Sequence, residues 1–251
     1  QSFDEYLRAW VLLHALHRKL ELPGHAPGIV FNMSVGYDLK GILRPNVQWF
    51  LRNMQDASTY LERYMDIVAR FCPEVRDIQV PARLSNSVTL STMHGCPPDE
   101  IEKISAYLLD EWNLHTSVKL NPTLLGAERV RAILHDDLGY VDLAIPDVAF
   151  EHDLKYRDAV PMLRNLQGLA ESKGLTFGVK LTNTLEVENV RTVFDGKEKM
   201  MYLSGRPLHA ITANLACVLA EEFTGSLLMS FSAGADAFNA PDLLRCGMKT
   251  V

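Results

Sequence analysis

The chain has 251 residues, of which 47% are apolar and 22% charged, with a formal net charge of −6. That balance suits one globular domain with a sizeable core and leaves no basic surface to track nucleic-acid phosphates. No apolar stretch approaches the ~20 residues that span a bilayer, and the acidic start Gln1–Glu5 has no signal-peptide pattern, so a cytoplasmic setting is expected. The missing initiator Met suggests a chain that begins inside a longer one.

In chain order, the first predicted element is an amphipathic helix over Asp4–Leu20. Phe3, Tyr6, Leu7, Trp10, Val11 and His14 recur at three- and four-residue spacing, and Pro23-Gly24 stops the run. A short apolar run, Gly28–Ser34, reads as a buried strand. One long helical pattern follows over Val47–Phe71 and closes at Pro73. Strands are then predicted at Val88–Thr92, Ser117–Leu120, Tyr140–Ile145, Thr176–Leu181, Leu227–Phe231 and Met248–Val251. Helices fill the gaps at Pro98–Trp112, Ala127–His135, Arg157–Lys173, Leu208–Phe223 and Ala240–Arg245.

Short Val/Ile/Leu/Thr-rich strands alternating with helices are the mark of βα units on a parallel sheet. No linker or low-complexity tract divides them, so a single domain over 1–251 is expected. Periodicity does not separate a closed barrel from an open doubly wound sheet. The absence of G-x-G-x-x-G after a first strand favours the barrel.

Cys72, Cys96, Cys217 and Cys246 form no C-x-x-C pair, which removes the local signature of a zinc or iron–sulfur site and points to reduced thiols. The predicted strand ends are rich in polar residues: Asn32–Tyr37, Thr89–Pro98, Lys119–Thr123, Lys180–Thr184, Ser204–Pro207 and Ser230–Ala235. In a barrel, chemistry gathers at that end. Lys119 and Lys180 stand in apolar strands, where a lysine is either solvated, paired or functional. Asn121 and Asn183 serve either as loop caps or as ligands. Cys96 lies just before a helix start, a location that lowers a thiol pKa, and the bland alternative is a buried inert thiol. His94 reads as a loop histidine. Ser204-Gly205 and Ser232–Gly234 are either plain turns or backbone cradles for a phosphate ahead of a helix.

The segments Phe31–Tyr37, Thr89–Pro98, Val118–Leu125, Phe177–Leu185 and Ser204–Arg206 resemble the YgfK-type family, named for a selenate reductase subunit. That family is more distantly similar to dihydropyrimidine and dihydroorotate dehydrogenases. The resemblance implies an α/β (β/α)8 TIM barrel of the FMN-oxidoreductase kind. It implies that two early strands and the end of the last one lie outside this chain. It also implies iron–sulfur, FAD and NADPH modules in the full-length protein as redox partners, and a small-molecule substrate.

By the same resemblance, Lys119 approaches the flavin N1/O2 edge and Asn183-Thr184 face flavin and substrate. Asn32 matches an amide that orients a planar substrate, and Cys96 matches a loop that supplies a general acid; Asn121 is expected, from its place at a strand end, as a further substrate contact. Ser204-Gly205 and Ser232–Gly234 match phosphate turns. Ala233 departs from the pattern, since relatives tend to carry glycine there. Two rival readings stay open: a Schiff-base lyase or aldolase using Lys119 or Lys180, and a cofactor-free scaffold barrel of an electron-transfer complex.

Overall fold

A computed structural model describes residues 2–24, 27–36, 38–91, 95–191 and 193–251. They divide into two compact units, one built from residues 1–33 and 40–87, the other from 34–39 and 88–251.

The first unit is mainly helical. Helix α1 (Ser2–Lys19) buries Phe3, Leu7, Trp10, Val11, His14 and Ala15, one stripe at the helical period, with acids in its first turn and bases in its last. Strand β1 (Asn32–Val35) straddles the boundary between the units, and a short helix α2 (Leu39–Ile42) follows. The single helix expected over 47–71 is two helices, α3 (Pro45–Gln55) and α4 (Ser58–Ala69). Asp56 makes the break. Its backbone is extended at φ −148° and ψ 101°, and its Oδ1 accepts the Ser58 N–H at 3.0 Å. An aspartate that captures a nearby backbone N–H competes with helix continuation. Phe3, Trp49 and Tyr60 meet edge to face, the closest centroids 5.2 Å apart. Trp10 Nε1–H donates to the Pro81 carbonyl at 2.8 Å.

The second unit carries β2 (Ser87–Ser91), α5 (Pro98–Asp110), β3 (His115–Leu120), α6 (Ala127–Arg131), α7 (Asp147–His152) and α8 (Tyr156–Ser172). After them come β4 (Phe177–Leu181), β5 (Leu185–Glu188), β6 (Met200–Leu203), α9 (His209–Glu222), β7 (Leu228–Phe231) and α10 (Ala240–Arg245). Five strands form one sheet in the order β1-β2-β3-β4-β7, with β3–β4 and β4–β7 parallel. Val88, Leu90, Val118, Leu120, Val179 and Leu181 are all at most 1% exposed, as befits a parallel sheet covered on both faces. Gly178 is required in β4, because a Cβ there would lie 2.7 Å from the Leu228 carbonyl oxygen of β7.

Three expectations need correction. The segment Tyr140–Ile145 is not a strand. Both sides of β4 are already taken by β3 and β7, and the segment turns back on itself through Leu143 N–H to Tyr140 O at 3.0 Å. The helix expected over 127–135 is regular only to Arg131 and widens into a π-helical stretch, Ala132–Asp137. Residues 248–251 make a single parallel bridge, Ser230 to Thr250, rather than a strand. An antiparallel ribbon of β5 and β6, not anticipated, stands apart from the main sheet.

Candidate active site

The strand register sets the site. Lys119 of β3, Lys180 of β4 and Ser230 of β7 are register partners in one row across three parallel strands. Beyond that row each strand's tail is fastened to the strand before it. Asn183 N–H donates to Leu120 O at 2.7 Å. Ser232 donates both its N–H, at 2.8 Å, and its Oγ, at 3.1 Å, to Leu181 O. The Leu181–Thr182 peptide is cis, and the Thr182 hydroxyl meets Thr212 Oγ1 of α9 at 2.9 Å in a fully covered pair. These contacts bring Lys119, Lys180, Asn121, Asn183, Thr184 and Ser232 to one end of one sheet.

Both lysines are half-buried. Burial, and next the like charge of Lys180, push the Lys119 ammonium below the ordinary lysine range. Neighbouring strands sit about 4.8 Å apart, and two cations in register at that spacing repel in a medium poorer than water.

Cys96 corrects an expectation. Proximity to the N-terminus of α5 was expected to lower its pKa, yet the thiol is pushed up. Burial is the largest cause, followed by Glu100, Asp99 and Asp38. Burial and the nearby acids both favour the protonated thiol. A thiol held protonated is a proton donor rather than a nucleophile.

One buried residue escaped the sequence reading. Asp153 is 4% exposed and accepts the Gly95 N–H at 3.0 Å on Oδ1 and the Thr123 hydroxyl at 2.7 Å on Oδ2. It therefore ties the loop carrying Cys96 to the tail of β3. No local signal marked it, because its partners are remote in sequence.

The two glycine turns press together. Gly234 has φ +66°, and a Cβ there would lie 2.6 Å from Arg206 Cα. Arg206 pairs with Asp236 at 3.1 Å, and Asn239 Nδ2 donates to Gly234 O at 3.0 Å. The Ser204-Gly205 turn leads through Arg206–Leu208 into α9. Ser232–Gly234 does not open directly onto a helix, since α10 starts only at Ala240, and the Ser232 N–H is already engaged.

Asn32 belongs to the first unit, where its amide donates to Ser87 Oγ at 3.0 Å. Tyr37, Thr92, Met93 and His94 lie outside the described residues. Among the described residues no cluster of His, Cys, Asp or Glu could hold a metal, and no helix is long and apolar enough to cross a membrane.

A parallel α/β sheet with polar residues collected at its strand ends is the layout of a TIM-barrel enzyme domain. The family described as "Oxidoreductase YgfK, N-terminal TIM-barrel domain" matches residues 1–251, and the chain belongs to it. It is 42% identical over 270 residues to a protein of Escherichia coli (strain K12) named "Putative oxidoreductase YgfK", with the same figures for the protein of that name in Escherichia coli O157:H7. The whole chain is covered, but only 26% of either relative, so it spans about a quarter of their length. Among solved structures, a DHODH from Eimeria tenella in complex with ferulenol aligns over 76% of this chain and 57% of that one. The identity is 16% and the TM-score 0.35, too low to bear on fold or chemistry.

Proposed function

We propose that this domain is the flavin-binding redox module of a larger cytoplasmic oxidoreductase. On this reading it holds FMN at the strand ends and receives electrons from NADPH through FAD and iron–sulfur centres on neighbouring modules. It passes them to a small planar or oxyanionic substrate. Selenate is one oxyanion of that class and a pyrimidine-like ring is one planar candidate. The observation that carries the reading is the row Lys119–Lys180–Ser230, with Asn121 and Asn183 at the adjoining strand ends.

The donor set fits the group. Lys119 and Lys180 supply cations where a flavin ring gathers negative charge, and the amides of Asn121 and Asn183 suit ring carbonyls and substrate. The interlocked turns at Gly205 and Gly234 would hold the phosphate with the backbone N–H groups left after Ser232 is engaged. Bound FMN would supply hydride or electron transfer.

The chain's own residues do the rest. Lys119, its ammonium destabilised by burial and Lys180, takes its proton back when negative charge appears beside it. Cys96 holds a proton for delivery to substrate, and Asp153 fixes the loop that presents it. Thr184 and Ser204 complete the cofactor side of the proposed site.

The test is FMN uptake by the full-length protein, read from the flavin absorption bands after desalting. Retained flavin, weakened in Lys119→Ala, supports the reading. Colourless protein after incubation with excess FMN sinks it and leaves a scaffold barrel.

A further inference from the structure

We infer that a hollow among the helices of the sheet unit, separate from the lysine row, is a binding site for a small amphipathic anion, an apolar body that carries one oxyanion head. This inference goes beyond the flavin reading and does not rest on it.

Four segments wall the hollow. The turn Pro122–Leu125 after β3 supplies Leu124 and Leu125, α7 supplies Phe150, the start of α8 brings Lys155 and Tyr156, and α9 brings Asn214 and Val218. Arg129 of α6 stands at the rim. The volume is about 630 Å³, inside the range in which small-molecule sites fall. The walls are fixed by bonds that need no ligand. Thr123 Oγ1 donates to Asp153 at 2.7 Å, and the Gly126 N–H donates to Thr123 O at 2.9 Å. Arg129 Nη2 donates to Asn214 Oδ1 at 2.8 Å, which ties α6 to α9. A hollow already formed in this way asks little ordering of an incoming ligand.

Charge decides the class of ligand. The lining includes Arg129 and Lys155 and no carboxylate, in a chain whose net charge is −6. Arg129 is engaged by Asn214 and lies 3.9 Å from Asp137. Lys155 has donors to spare. Its half-buried side chain donates once, to the Phe150 carbonyl, and an ammonium carries three N–H groups, so two remain for an acceptor. Among the described residues no carboxylate pairs with it. The acid beside Tyr156 is Glu222, 3.5 Å from the hydroxyl, and Arg164 holds it at 2.8 Å. A cation set among apolar walls suits a ligand of two parts. The tail covers Leu124, Leu125, Phe150 and Val218 and releases water from them, and the head accepts from Lys155.

The probe is octanoate, one apolar chain with one carboxylate, titrated into the full-length protein by isothermal calorimetry at pH 7. One saturable site is expected. Octanol, the same chain without the charge, should bind about tenfold more weakly, the worth of one charge-assisted hydrogen bond. Lys155→Met keeps the stem and drops the ammonium. It should weaken octanoate by about the same factor and leave octanol unchanged. Val218→Trp, at an exposed position of α9, should fill the hollow and abolish binding of both. Circular dichroism reports whether each variant is folded.

Wild-type protein with no saturable octanoate site overturns the inference and leaves the hollow to an apolar side chain of the longer protein. Octanoate affinity unchanged in both folded variants overturns it as well, by placing the bound chain elsewhere. Equal binding of octanol and octanoate rejects the anionic class. FMN uptake, measured on the same preparations by quenching of flavin fluorescence, should be untouched by Lys155→Met and Val218→Trp. It reports on the flavin reading alone, so either idea can fail without the other.

Discussion

The helical unit and the sheet unit handle covered polar groups in opposite ways. In the helical unit two of them are closed off within one turn of their own helix. His14 Nδ1 sits 2.8 Å from the Trp10 carbonyl, and Asn53 Nδ2 donates to Trp49 O at 2.7 Å. In the sheet unit two lysines share a register row, where burial and the neighbouring Lys180 make the Lys119 charge harder to keep. Polar groups answered within one or two helical turns are architecture. Like charges set side by side cost stability, and such a cost is the usual mark of a site that does chemistry.

The largest expected effect lies in the helical unit's packing. Leu51→Ala, at a fully buried position, should cost about 4 kcal/mol in urea unfolding, within the range for core leucines. Gly234→Ala comes next. Forcing Cβ onto the Arg206 backbone at positive φ should cost about 3 kcal/mol and lower FMN retention with it. If stability falls and FMN retention does not, the turns are scaffold only.

Asn53→Ala should cost about 1 kcal/mol, the usual worth of a lost internal hydrogen bond. Lys119→Met should do the opposite and raise Tm at pH 7. The sign follows from linkage. Because the folded state holds the Lys119 proton less tightly than the unfolded one, stability rises with pH between the lowered pKa and the ordinary lysine value. The benefit of Lys119→Met should therefore shrink as pH rises from the lowered value toward ~10.4 and be absent above it. A loss of stability in Lys119→Met like that of Asn53→Ala would erase the contrast between the two units.

The smallest effect concerns His14, lowered chiefly by burial. Its folded pKa lies below the unfolded value, so its contribution is present above pH ~6.5 and fades as pH falls through the folded value. His14→Gln should flatten that acid slope in thermal melts.

Much of this was legible in the sequence. The stripe of α1, the starts and ends of α5, α8 and α9, and the polar strand ends follow from local periodicity and punctuation. The α3–α4 break was visible in principle, since Asp56 two residues before Ser58 is a known capping arrangement, but an apolar pattern running through it masked the signal. What local reasoning could not supply is anything that depends on which strand lies beside which. The Lys119–Lys180 register, the tether made by Asp153 and the spare ribbon β5–β6 are all of that kind. Cys96 shows a different limit. The rule about helix N-termini was sound, but the burial of the thiol, and then the three carboxylates around it, had to be counted before its sign was known.

The interlock of Gly234 with Arg206 has a consequence for reading natural variation. Position 234 is barred to any side chain by a backbone 2.6 Å away, whatever the turn binds. A glycine kept there across relatives would report only that contact. Positions 206 and 236, joined by their ion pair, should instead change together, with a loss of charge at one matched by a loss at the other. Ligand-driven selection would have to be sought at the exposed Ser204, since the Ser232 hydroxyl is already committed to the Leu181 carbonyl.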